Sequence, residues 1–118
     1  MDFNLAEIVR AVAKAVPTRE ALVHGDRRQT YGEFMARVDR LASALSSRGL
    51  GHHVDRSRLE NWESGQDHLA LYLHNCTEYI EGMVGAYAGR LAPFNVNYRY
   101  VAEELRYLLA DAHARVII

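Results

Sequence analysis

The run Asn95-Val96-Asn97-Tyr98-Arg99-Tyr100 carries the densest set of groups in the chain that could meet a ligand. Two carboxamides can accept or donate, and Arg99 offers a planar fork that fits a carboxylate or a phosphate. The run follows a short apolar stretch and precedes a helical pattern. That junction is where open α/β sheets place their sites. Asn95, Asn97 and Arg99 are therefore the candidate site residues. The plainer reading, a strand-to-helix turn whose asparagines bond the backbone and whose arginine is solvated, stays open beside it.

Other chemistry is poorly supported. His52, His53, His68, His74 and Cys76 invite a metal reading. His74 and Cys76 stand two apart at a strand end, which is not a usual zinc spacing. No metal ligand is assigned. Cys76 lacks a visible base and reads as a small buried thiol, not a nucleophile. Neither G-x-G-x-x-G nor G-x-x-x-x-G-K-[ST] occurs, and the glycines of Gly82-Met83-Val84-Gly85 fall inside a helical pattern where they serve packing. The 14 basic residues comprise 13 Arg and the single Lys14, which removes most lysine mechanisms. With 15 acidic residues interspersed, Arg27, Arg28, Arg56 and Arg58 read as solvated faces rather than a nucleic-acid stripe.

The elements that would position these groups follow from periodicity. Asn4 and Glu7 have capping-box spacing, and Leu5, Ile8, Val9, Val12 and Val16 then fall on one helix face until Pro17. Gly25-Asp26 separates two short strands, a β-hairpin. Thr30 and Glu33 repeat the capping-box spacing ahead of Phe34, Val38, Leu41 and Leu45, and Gly49 can end that helix in a left-handed conformation with Leu50 packing back. Residues 51–67 are polar and aperiodic, a long surface loop with room for one helical turn. The run 69–73 suits a strand buried on both faces. Asn75 or Thr77 caps a helix reaching Gly89, with Tyr79, Ile80, Met83, Val84 and Tyr87 as its apolar residues. A strand at 91–96 follows, with Pro93 at its start or on an edge. A helix over 101–112 turns Leu105, Leu108, Leu109 and Ala112 inward, and 115–118 forms a last strand. This alternation implies parallel strands with right-handed crossovers. A terminal parallel strand fed by two crossovers looks cut off rather than finished.

Composition sets the class. At 118 residues, 49% hydrophobic and 25% charged, the chain reads as a globular domain or part of one. A net charge of -1 provides no field for nucleic acid. No apolar run is long enough to span a bilayer. The N-terminus Met1-Asp2-Phe3-Asn4 has no basic n-region, so the expected location is the cytosol, with peripheral membrane association left open. One cysteine gives no intramolecular disulfide.

In order and spacing, these motifs resemble the N-terminal region of adenylate-forming acyl-CoA synthetases, relatives of luciferases and of peptide-synthetase adenylation domains. Thr30-Tyr31-Gly32-Glu33 is similar to the family's start of a helix, and Leu69-Ala70-Leu71-Tyr72-Leu73-His74-Asn75 to one of its strands. Asn95 through Tyr100 followed by Glu103-Glu104-Leu105 resembles the form found in bacterial fatty-acyl and steroid side-chain CoA synthetases. The resemblance implies an α/β fold: an N-terminal hairpin and helices plus a short parallel βαβαβ unit, an incomplete part of the synthetase N-terminal domain. It implies that residues 1–118 are a truncated N-terminal subdomain, with an insertion at 51–64. The activity implied for the parent enzyme is attack of a fatty or sterol-derived carboxylic acid on ATP, assisted by Mg2+, then thioester formation with CoA.

The family's Ser/Thr/Gly-rich phosphate loop, ribose-binding aspartate and C-terminal lysine have no counterpart here. The chain alone is therefore expected to bind none of these cofactors and to be inactive. Two further departures are Val101 at a capping position and Gly89-Arg90-Leu91-Ala92 in place of a Lys-x-Gly-Ala pattern. They leave room for a decayed copy. The alternatives are a non-catalytic binding or assembly module, using a sheet edge and the Trp62 loop, and a small flavodoxin-like nucleotide binder.

Overall fold

Two capped helices and a two-residue turn set the N-terminal half. The computed structural model describes residues 3–118; Met1 and Asp2, part of the N-terminal reading above, lie outside the described residues. Helix α1 spans Leu5–Ala15, with the Ala6 amide donating to Asn4 Oδ1 at 2.9 Å. The box does not close: Glu7 faces Arg10 instead, at 3.4 Å. Strands β1 (Glu20–His24) and β2 (Arg27–Thr30) pair antiparallel around Gly25, whose φ of 59° needs no Cβ. Helix α2 (Tyr31–Ser47) carries the full capping box, Glu33 N to Thr30 Oγ1 at 3.2 Å and Thr30 N to Glu33 Oε2 at 2.8 Å. It stops at Gly49, φ 74°, where the Leu50 amide reaches back to Leu45 O at 3.2 Å.

The second half is the parallel unit. Strand β3 (His68–Leu71), helix α3 (Thr77–Ala88), strand β4 (Ala92–Asn95), helix α4 (Ala102–Asp111) and strand β5 (Ala114–Ile117) follow in order. The sheet order is β4-β3-β5, all parallel, with Leu71 opposite Asn95. Pro93 lies on β4, an edge strand, where the missing amide is tolerated. The two crossovers run in opposite directions from β3, so right-handedness puts α3 and α4 on opposite faces. The strand order therefore reverses between β3 and β5.

The core lies on the α3 face. One buried cluster joins Ala6 and Ala13 of α1 to Phe34, Met35 and Val38 of α2 and Val84 of α3; a second joins Leu45, Leu69, Leu71, Ala86 and Leu91. Gly82 and Gly85 allow the close approach their spacing predicts. A Cβ at Gly82 would stand 2.8 Å from Leu71 Cδ2, and one at Gly85 2.6 Å from Leu41 Cδ2.

Three sequence readings need correction. In α1 the alanines Ala6 and Ala13 are buried, while Leu5, Ile8 and Val12 are 49%, 50% and 37% exposed. The helix packs through its small residues with Val9 beside them, as the spacing predicts for Val9, while Leu5, Ile8 and Val12 turn sideways. Neither Asn75 nor Thr77 caps α3: Cys76 occupies the N-cap and makes no side-chain cap, and it is half-buried rather than buried. In α4, Leu105, Leu108, Leu109 and Ala112 are half-buried and no residue of the helix is fully buried.

Both ends of α4 are weak. Val101 has no acceptor, so only Glu104 serves the cap, taking the Val101 amide at 3.0 Å. His113 closes the helix at φ 50°, a left-handed position costly to a side chain. Val101→Ser and His113→Gly are each expected to raise folding stability by about 0.5–1 kcal/mol, read by chemical denaturation.

Residues 51–67 form a built loop. Its neck is closed by Asp67 N to Gly51 O at 2.8 Å and His53 N to Gly65 O at 2.8 Å, with His52 bridging Gln66. Asp67 takes the Gly51 amide at 3.0 Å and His53 Nε2 at 2.6 Å. Burial opposes its charge, but these partners hold its carboxyl below the usual range. Inside the loop is one 3-10 turn, Arg56–Arg58. Arg56 is exposed, as expected, and also staples the loop, donating to Glu60 O and Glu63 O at 3.0 Å each. A Cβ on Gly65 would sit 2.0 Å from Val54 O. Gly65→Ala is thus expected to break the neck, costing about 1–2 kcal/mol and speeding amide exchange at His53 and Val54.

Candidate functional site

The carboxyl ends of β3 and β4 bring the predicted residues to one ledge. Val96 is buried, and its amide continues the ladder to Leu71 O at 2.9 Å. Asn97 then builds the turn: its Oδ1 accepts from the Arg99 amide at 3.0 Å, and its carbonyl from the Tyr100 amide at 3.0 Å. Tyr72, just past β3, clamps the turn from below by donating its hydroxyl to Tyr100 O at 2.6 Å. The backbone from residue 95 to 100 is thus fixed at both ends, and Asn97 is spent on holding it.

What the ledge presents is aromatic and cationic. The rings of His74 and Tyr98 lie 4.4 Å apart, tilted 45°. The Arg99 guanidinium carbon is 5.5 Å from the Tyr98 ring centre, and Arg99 Nε donates to the Tyr98 hydroxyl at 3.3 Å. This leaves both terminal nitrogens of Arg99 without a hydrogen bond among the described residues, available to an anion. Asn95 is exposed at the end of β4, and its amide makes no hydrogen bond among the described residues. The ledge adjoins the strand-order reversal, where Tyr72 N meets Ile118 O at 2.8 Å. In doubly wound sheets the ligand crevice opens there.

The remaining candidates do not join it. His68 sits at the opposite, amino edge of the sheet, its Nδ1 2.6 Å from Ala112 O. His52 and His53 belong to the loop neck at the same edge. Among the described residues no three His, Cys, Asp or Glu side chains are grouped to hold a metal.

A buried polar cluster that sequence reasoning overlooked lies between the hairpin, α2 and α3. Glu81 is 6% exposed and its Oε1 accepts from Arg37 Nε at 2.5 Å and Gln29 Nε2 at 2.8 Å. Burial pushes its carboxyl up, but the Arg37 and Gln29 hydrogen bonds outweigh that and hold it below the usual range. On the rim, Arg27 pairs with Glu78 and draws its pKa down to about 2. Gln29 Oε1 is buried with no partner among the described residues. The missed signal was Glu81's place on the same helical face as Thr77, Val84 and Gly85, the buried side of α3.

The AMP-binding enzyme family matches residues 9–118. The chain belongs to that family. The chain is 50% identical over 116 residues to a medium-chain acyl-CoA ligase (Mig) of Mycobacterium avium, covering 98% of the chain and 21% of that protein. It is 32% identical over 118 residues to a 3-oxocholest-4-en-26-oate–CoA ligase of Rhodococcus rhodochrous, covering 100% of the chain and 19% of the relative. The chain therefore spans about a fifth of the length of these curated relatives. In three dimensions it superimposes on the inhibitor-bound N-terminal domain of FACL13 from Mycobacterium tuberculosis with a TM-score of 0.77 and 26% identity, over 97% of the chain and 26% of that domain. The expected architecture, hairpin and helices followed by a short parallel βαβαβ unit, is the one found. Among the described residues no helix is long and apolar enough to cross a membrane.

Proposed function

We propose that this chain is the N-terminal part of an acyl-CoA synthetase that joins a fatty or sterol-derived carboxylic acid to CoA at the expense of ATP. The observation that carries the reading is the 50% identity, along nearly the whole chain, to a medium-chain acyl-CoA ligase. The ledge at the carboxyl edge agrees with it, because a reaction between a carboxylate and a triphosphate needs a fixed cation beside the crevice.

Within this reading Arg99 presents its fork to a carboxylate or phosphate, Asn95 offers a carboxamide beside it, and Asn97 holds the turn that aims both. Mg2+ and ATP are the parent reaction's requirements. The described residues do not fit them: the ledge offers one guanidinium and no carboxylate cluster. In this reading the described part of the chain is scaffold and one wall of a site, and the adenylation step is expected to need the rest of a longer enzyme of the relatives' kind.

The test is acid-dependent ATP–pyrophosphate exchange. It would be run on the 118-residue chain alone, and on a chimaera in which the chain replaces the matching segment of the M. avium ligase. No exchange from the chain and exchange from the chimaera is the expected pair of results. Exchange by the chain alone, or none from a cooperatively folded chimaera, overturns the proposal. In an active chimaera, Arg99→Ala should lower exchange while Arg99→Lys restores part of it.

A second reading, an assembly module, draws on the free edges of β4 and β5 and on Ile117, 49% exposed on β5. A discrete dimer of the wild-type chain in sedimentation would favour it.

A further inference from the structure

Helix α1 has two apolar sides. At 100° per residue, Ala6 and Ala13 point to the core, whereas Leu5, Ile8, Val12 and Val16 share an arc of roughly 80° turned sideways. Ala11 and Ala15 extend that arc away from the core. The charged residues Glu7, Arg10 and Lys14 gather on the far side, where Arg10 binds Asp39 of α2 at 2.8 Å. No charge interrupts the outward stripe. An apolar arc that extends from the core side through this stripe, with the charges confined to the opposite sector, is wider than one packed face requires.

The stripe does not end with the helix. Phe3, 71% exposed, and Leu5 border a hollow of about 340 Å³ whose other walls include Tyr87, Leu91 and Pro93. Pro93 lies on β4, an edge strand, so the hollow, which Asn4, Gln66 and Arg90 also line, runs from α1 to a sheet edge that is free among the described residues. Neither buried cluster of the chain includes Leu5, Ile8 or Val12. In the M. avium relative, the segment this chain covers is 21% of the protein, so roughly four-fifths of that polypeptide lies outside it.

We infer that the outward stripe of α1, with the hollow beside Pro93, is the docking surface for the polypeptide that lies outside the matched segment in the acyl-CoA ligases. This rests on the function proposed above. It assigns α1 to an internal seam of the larger enzyme rather than to its solvent face.

Thiol labelling reads it. Ile8→Cys, made with Cys76→Ala, is placed in the isolated chain and in the chimaera with the M. avium ligase. Modification is expected to be at least on the order of tenfold slower in the chimaera. Equal rates in a cooperatively melting chimaera overturn the inference. Protection in a folded chimaera without ligase activity would uphold the seam while the functional reading fails. A second measurement uses the isolated chain. Ile8→Arg/Val12→Arg should leave its Tm within about 2 °C of wild type and reduce its aggregation. A larger loss of Tm would bury the stripe in the chain's own core and overturn the inference. So would a wild-type dimer that the double variant dissolves, or binding of the wild-type chain to phosphatidylcholine vesicles that the variant abolishes.

Discussion

Arg37→Met is expected to cost about 2–4 kcal/mol of folding stability and to reverse the pH dependence of what remains. Glu81 is the reason. Its carboxylate is 6% exposed among α2, α3 and the hairpin, and among the described residues Arg37 is the one cation that reaches it, at 2.5 Å. Removing the guanidinium leaves a buried charge with a single amide donor, Gln29 Nε2. Loss of one partner of a buried pair costs roughly 3–5 kcal/mol; the lower figure is taken here because the Arg37 side chain is 40% exposed and partly screened.

The sign of the pH effect follows from the direction of each shift. In the wild type the Glu81 carboxyl is lowered below its ordinary 4.5, and Glu78 is drawn to about 2 by Arg27. Both contribute stability that is fully present above pH 4.5 and is lost as the pH falls through the lowered values. Without Arg37, burial dominates at Glu81 and its carboxyl rises. The variant should then gain stability as the pH drops from 7 toward 5, where the wild type is flat. Urea melts at pH 7.0, 6.0 and 5.0 decide it; a variant that tracks the wild type at all three would remove the central role given to this pair. Arg37→Met/Glu81→Leu should recover only part of the loss: a well-packed apolar pair can replace a buried ion pair, but Gln29 Nε2 loses its acceptor, so Gln29→Leu is needed with them to recover most of it.

The polar cluster also shows where the sequence stopped being readable. Capping boxes, the Gly25 turn, the Gly49 stop and the strand–helix alternation are local, and each appears where its residues call for it. The ledge was legible for the same reason: residues 95–100 mark a strand-to-helix junction, and junctions of that kind lie at the carboxyl edge whatever the partners. Glu81 was not legible, because a glutamate at a core position is recognised only once Arg37 and Gln29, from two other elements, are brought against it. The α1 stripe misled in the opposite way. Large aliphatic residues at helical spacing normally mark the inward face, but here Ala6 and Ala13 are the buried contacts of α1 with α2 and α3, with Val9 half-buried beside them. The choice between the two faces depends on steric room, which periodicity does not report. The stapling role of Arg56 was hidden likewise: its acceptors are backbone carbonyls of a loop whose path the sequence does not specify.

Gly85→Val tests the close approach of α2 and α3 and should cost about 2–3 kcal/mol. A Cβ at Gly85 would lie 2.6 Å from Leu41 Cδ2, 3.0 Å from its Cγ and 3.2 Å from its Cβ. A clash with one terminal methyl could be relieved by a rotamer change, but crowding along the whole Leu41 side chain moves the α2 backbone. Helix propensity offsets only a few tenths of a kcal/mol, because valine is itself a modest helix former. Gly82 is more forgiving, since its nearest neighbour is the far end of Leu71, at 2.8 Å. A double-mutant cycle isolates the cause. Leu41→Ala in the wild type opens a cavity and destabilises, whereas in the Gly85→Val background it makes room and should cost little or nothing. The expected coupling is at least about 1 kcal/mol. Additive costs would mean that α2 and α3 are not locked together at Gly85. The position of α1 above them, and of the stripe it turns outward, would then need another cause.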